Sequence, residues 1–432
     1  MIKLYEKITD NNSVIHKYFY GLFKKKINSE CKKYYIFGIQ IFVKKSNSTK
    51  KLHVYDYKNA FIMEYFCQQQ FLKYGNNQPD IKYWLDNAKN IMIATPQSYL
   101  NHSHGWIKYL FKGNLYGNDS LPYDNKNADL FVLLAGITSN YDQVSTVVEA
   151  MQVNKPVLIL EAGFLRSINT FCENKDLPKY RYDVGFVLDT LTAYYDATRP
   201  SLLEMMLNDK NLVITEEQKQ RARKCIDKIV ENHLTKYNCQ PIFTPDIGRK
   251  GVKKVLVVDQ SFGDSSIKKG LASIETFNKM LDAAINENPD ADIIIKTHPD
   301  TQTGARTGYY THLEAKGNIY LYTAPINPIS LIKYVDKVYV CSTQLGFEAC
   351  MCNKETHVFG MPFYAGWGLT TDEQKCQRRT NTRTLEEIFY ITYIMYSYYI
   401  NPEKMCRCEI EEAMDYLINM RNEYFKEKRI SI

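Results

Sequence analysis

The sequence contains no run of about 18 uncharged apolar residues, which argues against a membrane-spanning helix. Its first residues, MIKLYEKITDNN, lack the apolar core of a secretory leader. The expected setting is therefore the cytoplasm, with any contact to the inner membrane peripheral. Among the 11 cysteines are Cys350-Met351-Cys352 and Cys406-Arg407-Cys408, yet no two Cys-x-x-Cys units stand at zinc-site spacing. An odd number of cysteines without a leader reads as reduced thiols. No internal repeat or low-complexity tract is present. No nucleic-acid-binding signature accompanies the net charge of +7, and the lysines are spread along the chain rather than gathered in one run. That distribution suits an anionic ligand, a membrane surface, or simply a solvated basic exterior.

What is present is an ordinary globular composition, 45% hydrophobic and 24% charged, and at 432 residues the chain is longer than one core usually organises. Its 34 tyrosines are many and point to wide amphipathic surfaces or clefts. Residues 1–125 show short apolar runs, YYIFGIQIFV (34–43) and NIMIATP (90–96), that read as strands. From 126 the pattern sharpens. ADLFVLLAGI (128–137) and KPVLILEAG (155–163) are buried-strand candidates around a segment of helical spacing, a β-α-β signature. Residues 200–238 read as helices with a capping start at Thr215, and CQPIFTPDIGRKG (239–251) reads as an interdomain linker. A second alternating block follows, with strands at VKKVLVVDQ (252–260), ADIIIKTHP (291–299), GNIYLYTA (317–324), KVYVCST (337–343) and THVFG (356–360). Two successive α/β blocks predict two Rossmann-like domains facing a cleft.

Open parallel sheets bind ligands at the carboxyl ends of their strands. The unusual polar residues lie there: Glu161 after VLIL, Asp259 and Gln260 after VLVV, His298 after IIIK, and Ser342 and Thr343 after VYVC. In CSTQLGFEA (341–349), Ser342 or Thr343 can cap a helix start that suits an anion, Gly346 permits close approach, and Glu348 can receive a ribose hydroxyl. The plainer reading is a capped helix with a surface glutamate. The segment is neither a Walker loop nor a Gly-x-Gly-x-x-Gly fingerprint. Asp259 and Asp264 can equally be turn formers, and Glu161 and Arg166 a cap or an ion pair. His102-Ser103-His104 reads as a surface loop, since no further metal ligands accompany it. FGMPFYAGWGLTTD (359–372) packs aromatics between glycines and suits a rigid loop, either lining a pocket or packed on the surface.

The strings Glu-x-Gly-Phe-Leu-Arg-Ser (161–167), Tyr-Asp-Ala-Thr-Arg-Pro-Ser (195–201), Asp264-Ser-Ser, Lys-x-His-Pro-Asp (296–300), Ser-Thr-x-x-Gly-Phe-Glu-Ala (342–349) and Pro-Phe-Tyr-Ala-Gly-Trp-Gly-Leu-Thr (362–370) appear in that order. Together they resemble the bacterial capsule polysaccharide synthesis family, with the likeness strongest to KpsC-type β-Kdo glycosyltransferases. These enzymes use CMP-activated 3-deoxy-D-manno-oct-2-ulosonic acid (Kdo). The resemblance covers about residues 155–375 and does not extend to 1–125. It implies a GT-B-like glycosyltransferase of class α/β. An acceptor-side domain would span 1–244 and a CMP-sugar domain 245–385, while residues 386–432 read from their own pattern as tyrosine-rich amphipathic helices that pack back on the first domain or touch lipid.

By the same resemblance, Asp264 matches the attacking carboxylate, Glu161 the acid/base, and His298 a contact to the donor phosphate. Donor binding would fall to Lys296, Pro299, Ser342, Thr343, Gly346, Phe347, Glu348, Gln260 and Ser265. Arg166, Ser167, Tyr364 and Trp367 would line the sugar and acceptor pocket. Retention through a carboxylate adduct follows the logic of retaining glycosidases. No cofactor or metal is implied, because cationic side chains and a helix N-terminus can balance the leaving CMP. The implied partners are CMP-Kdo, a glycan or glycolipid acceptor, and the inner-membrane surface or capsule assembly machinery. Two departures stand out. Ala162 replaces a family aspartate, and the chain has room for one module where KpsC carries two, so a single linkage type is expected. Two alternatives stay open: a transferase using another nucleotide sugar, and a non-catalytic export or assembly factor.

Overall fold

The computed structural model describes residues 5–10, 13–18, 23–27, 31–36, 39–45, 54–98, 100, 105–119, 127–134, 140–169, 180, 182–297 and 307–430. His298, Pro299, His102 and His104 lie outside these. The chain opens with an antiparallel meander of five strands, β1 (Tyr5–Asp10), β2 (Ser13–Tyr18), β3 (Phe23–Ile27), β4 (Cys31–Ile36) and β5 (Ile39–Lys45). Helices α1 (Val54–Tyr74) and α2 (Ile81–Asn87) follow.

The N-terminal domain is built on β6 (Asn90–Ile93), β7 (Asn114–Gly117), β8 (Leu130–Leu134), helix α3 (Tyr141–Gln152), β9 (Val157–Ala162) and β10 (Gly185–Asp189). β8 and β9 run parallel with α3 between them, so the expected β-α-β unit is present. Helix α4 (Leu202–Asn208) is capped by Ser201, and α5 (Glu216–Glu231) by Thr215, whose capping box is closed by Gln218.

The segment 239–251 carries no helix or strand and is sewn to the second domain, with Tyr334 Oη donating to the Ile247 carbonyl at 2.7 Å. There β11 (Lys254–Val258), β12 (Asp292–Lys296), β13 (Ile319–Tyr322), β14 (Lys337–Val340), β15 (Glu355–Val358) and β16 (Thr371–Asp372) form an all-parallel sheet ordered β13-β12-β11-β14-β15-β16. Its connections carry α6 (Ser265–Lys269), α7 (Ile274–Glu287), α8 (Pro328–Tyr334) and α9 (Leu345–Met351). β11 and β12 are buried at every position, as expected for parallel strands covered on both faces. The strand order is that of a Rossmann sheet, and it reverses between β11 and β14.

The C-terminal segment departs from the expected run of helices. After α10 (Leu385–Phe389) and one wide turn come two strands, β17 (Ser397–Asn401) and β18 (Cys406–Cys408), before α11 (Ile410–Lys428). β17 pairs antiparallel with β10, so the end of the chain completes the N-terminal sheet as β18-β17-β10-β9-β8-β6-β7. The aromatic and β-branched string SYYIN fits a pleated, covered surface better than a helix. Asn401 then folds the chain back by accepting from the Glu403 and Lys404 amides. Basic residues of α5 hold this segment from the side. Arg221 pairs with Glu409 and Glu411, Lys228 with Asp415, and Arg223 with Glu386. Among the described residues no helix is long and apolar enough to cross a membrane.

Candidate functional site

The C-terminal domain opens where its strand order reverses, because the ends of β11 and β14 there lead their loops apart. Gln260 spans that crevice: its Oε1 accepts the Ser342 amide at 3.0 Å and its Nε2 donates to Ser342 Oγ at 3.3 Å. Asp259, just before it, is 1% exposed. It accepts from the backbone amides of Gln260, Tyr309 and Tyr310 at 2.8, 2.8 and 3.4 Å. Burial pushes the Asp259 carboxyl up, and those three amides pull it back. Its role is to tie two loops together.

Asp264 follows at the N-cap of α6, half-buried, with Oδ1 accepting from the Ser266 amide at 2.8 Å and from Ser266 Oγ at 2.7 Å. These bonds fix the carboxylate's direction at the rim, and Ser265 beside it is exposed. Lys296 ends β12, 8% exposed, donating to the Ala324 carbonyl at 3.1 Å beside the Tyr322 ring. Burial brings its ammonium down to about 8.

On the opposite domain Glu161 sits near the end of β9, half-buried, with Oε1 accepting the Ala162 amide at 2.9 Å. Arg166 grips Asp183 through Nε at 2.6 Å and Nη2 at 3.2 Å, and its Nη1 donates to Tyr237 Oη at 2.8 Å. Burial works against the guanidinium's charge, but Asp183, Tyr237 and Glu161 hold it on. Ser167 is 1% exposed and structural: its Oγ donates to the Asn169 carbonyl, and its own carbonyl accepts from Asn238.

The two rims meet at Tyr194 and Tyr195, where Lys269 of α6 lies over the Tyr195 ring at 5.7 Å. Burial raises the phenols of Tyr194 and Tyr195, and the charges of Glu161 and Asp264 both raise them further. One carboxylate from each domain therefore acts on the same tyrosine pair. The approach is held by Lys269 of α6, whose carbonyl accepts the Ala197 amide at 2.9 Å and whose Nζ lies 3.5 Å from Asp196 Oδ2.

The remaining candidates lie behind this surface. Thr343 Oγ1 accepts the Leu345 amide at 3.3 Å at the start of α9, and its carbonyl accepts from Tyr364 Oη at 2.7 Å. A side chain at Gly346 would run into that same tyrosine hydroxyl, so the close approach this glycine permits is made by Tyr364. Tyr364, Trp367 and Phe347 are all 0% exposed. With no accessible atoms, the two loop aromatics cannot form a pocket wall and instead fix the loop: Trp367 Nε1 donates to the Phe363 carbonyl at 2.8 Å. Gly366 and Gly368 turn the loop at φ of 84° and 82°, where other residues are strained. Glu348, 4% exposed, faces Gln344 Nε2 at 3.2 Å and the Lys236 backbone amide, and burial pushes its carboxyl up to about 7. That places it at the domain junction, one layer behind the crevice.

Three elements of the junction have no sequence signature. Gln344 Nε2 donates across the domains to the Phe164 carbonyl at 2.8 Å. Phe164 packs against Phe363 with the rings tilted at 50° and stacks on Tyr393, at centroid distances of 4.8 and 4.9 Å. Lys236, half-buried between α5 and the linker, lies among Glu161, Arg166, Tyr194 and Tyr237. Only the resemblance pointed towards this neighbourhood, through the 161–167 and 195–201 strings. Among the described residues no group of three His, Cys, Asp or Glu side chains is placed to hold a metal ion.

Two Rossmann-like α/β domains facing a cleft, with polar residues at the strand ends, define a GT-B-like fold. The profile of the capsule polysaccharide biosynthesis proteins matches residues 131–403, and the chain belongs to that family. Over 276 residues it is 40% identical to the capsule polysaccharide modification protein LipA of Neisseria meningitidis serogroup B, covering 62% of this chain and 38% of LipA. Over 266 residues it is 34% identical to the lipopolysaccharide-processing protein LpsZ of Rhizobium meliloti, covering 61% of this chain and 59% of LpsZ. The match thus spans under two thirds of either relative's length. Among solved structures, Thermosulfurimonas dismutans KpsC, described as a β-Kdo 2,4 transferase, superposes with a TM-score of 0.67 at 31% identity, covering 76% of this chain and 97% of that one. The KpsC structure described as a β-Kdo 2,7 transferase gives 0.51 at 25% identity, covering 77% and 99%.

Proposed function

We propose that this protein is a retaining β-Kdo transferase that moves Kdo from CMP-β-Kdo to a lipid-linked or growing glycan acceptor in capsule assembly. The observation that carries the reading is the meeting of the two domains at Tyr194 and Tyr195, where Lys269 of α6 lies over the Tyr195 ring at 5.7 Å and its carbonyl accepts the Ala197 amide at 2.9 Å, with Glu161 at one rim and Asp264 at the other. In the first step an Asp264 oxygen bonds to the anomeric carbon as the bond to the CMP phosphate breaks, and CMP departs with the electron pair. In the second, Glu161 takes the proton of an acceptor hydroxyl while that oxygen attacks the same carbon and releases the Asp264 carboxylate. Two inversions leave the configuration unchanged.

The leaving phosphate gathers charge at the ends of β11, β12 and β14. Lys296 stands there, and the resemblance adds His298 and Pro299. Ser342 and Gln260 form the floor of the crevice, and Ser265 its exposed lip. These cationic and dipolar groups balance the charge in a proposal that carries no metal. Incubating the purified protein with CMP-Kdo and, separately, with UDP-sugars tests the donor. Release of CMP with formation of a β-linked product supports the reading, and consumption of a UDP-sugar alone rejects it.

A further inference from the structure

Lysine occurs throughout the chain, but the excess of positive charge does not. Residues 1–51 hold 12 lysines against Glu6, Asp10 and Glu30, a net charge of +9, so the other 381 residues together carry −2. No arginine stands before Arg166. The basic stretch is the one that forms the meander β1–β5, and it lies outside residues 131–403, the span that defines the family. The meander's register concentrates the charge further. Lys17 stands opposite Lys24, Lys26 opposite Lys33, and Lys32 opposite Lys44. Like charges at directly opposed positions weaken a sheet, so this arrangement is unfavourable until an anionic partner offsets it. Three successive lysines in β3 give basic positions to both faces, but the faces differ in their apolar positions. One apolar rung crosses all five strands as Tyr5, Tyr18, Phe23, Ile36 and Ile39. Lys25, Lys32 and Lys44 fall on that same face, further along the pleat.

We infer that this face of the N-terminal meander docks on an anionic phospholipid bilayer, its apolar rung at headgroup level and its lysine positions over the lipid phosphates. The kind of charge selects this partner. Where single carboxylates or phosphates of a glycan or nucleic acid are read one by one, arginine's planar fork is the favoured donor. Lysine is a hydrated point charge, which suits attraction to a diffuse anionic surface. Aromatic residues set beside lysines are the composition of the membrane interface. The rest of the molecule, at −2, is not drawn to such a surface, so attachment falls to the meander. The inference stands apart from the transferase reading, because none of these positions belongs to the two domains that face the cleft.

The test is co-sedimentation of the full chain with vesicles of phosphatidylcholine alone or mixed with phosphatidylglycerol. The wild type should bind the mixed vesicles at least about tenfold more tightly, and lose that preference at about 1 M salt, where the Debye length shrinks to about 3 Å. Replacing Lys25, Lys32 and Lys44 together by Gln should weaken binding by about a hundredfold, each lysine near the surface being worth about fivefold. Replacing the exposed Lys82, Lys210 and Lys279 by Gln removes the same charge elsewhere and should change binding by no more than about twofold. Soluble polygalacturonate, a carboxylate polymer, should not displace the protein from the vesicles. No preference for the anionic vesicles, equal losses in the two triple variants, or displacement by the polymer at matched charge each overturn the proposal. If the first triple variant does not fold, the wild-type lipid, salt and competitor arms decide. None of these readouts uses CMP release, so a failure of the transferase reading leaves them intact.

Discussion

Arg379 of the C-terminal domain donates Nε to Glu204 Oε2 of the N-terminal domain at 3.0 Å, with the two side chains 3% and 5% exposed. The same guanidinium reaches back through Nη1 to the carbonyls of Pro362 and Ala365 at 2.6 and 2.7 Å. A second arginine, Arg378, takes the other face of Glu204 with Nε 2.7 Å from Oε1. One buried carboxylate thereby fastens the Phe-Tyr-Ala-Gly-Trp-Gly loop to the opposite domain and sets how far apart the two rims stand.

Removing that carboxylate leaves a buried guanidinium without its counter-charge. Glu204→Ala should cost about 3–5 kcal/mol in denaturant unfolding. Arg378→Ala, at a side chain 39% exposed, should cost about 1 kcal/mol or less. Equal losses for the two variants would contradict the assignment of Glu204 as the clamp.

Gly346 and Tyr364 form a second coupled pair. Gly346→Ala pushes a methyl into the Tyr364 hydroxyl and should cost about 1–3 kcal/mol. In the double variant with Tyr364→Ala the two losses should fall short of additivity by about 0.5–3 kcal/mol. Strict additivity in unfolding measurements would show that the glycine is required for another reason.

Glu348 provides a pH test. Its folded carboxyl is raised to about 7 by burial, with an ordinary value of 4.5, so the folded protein holds a proton that the unfolded chain has released. Its contribution to stability is complete below about pH 4.5 and is lost as the pH rises through 7. Compared with Glu348→Gln, the wild type should lose up to about 3 kcal/mol between pH 4.5 and 7.5. Asp189, raised to about 6 by its own burial, tilts both proteins the same way, so the difference between them isolates Glu348. Parallel stability curves would rule out the assignment.

Lys296 is brought down to about 8 by burial and loses its charge above that pH. With CMP-Kdo as donor, kcat/KM should fall on the alkaline side with a break near pH 8, the value in the free protein. Lys296→Arg should move that break beyond the measured range. A profile flat to pH 9 would remove Lys296 from donor binding.

Much of the fold was legible because parallel strands buried on both faces read as continuous apolar runs: β11, β12 and β14 lie within the strings that marked them. The C-terminal segment was not, because SYYIN is apolar and aromatic whether it packs as a helix or pairs with β10, and only the distant partner strand decides. Strand-end logic placed Glu161, Gln260 and Ser342 at the rims, and the resemblance added Lys296. It did not separate ligand-facing residues from those buried behind them. Trp367 and Glu348 gain their roles from contacts with Arg379 and Gln344, close in space and invisible as local pattern. Lys236 carried no signal, being one lysine among many in a basic chain.

The central claim is the division of labour between two carboxylates from opposite domains, and CMP-Kdo turnover in matched variants tests it most directly. Asp264→Ala and Glu161→Gln should each lower kcat by about a hundredfold or more while CMP affinity stays within a few fold. Turnover at the wild-type rate in either variant would contradict the account.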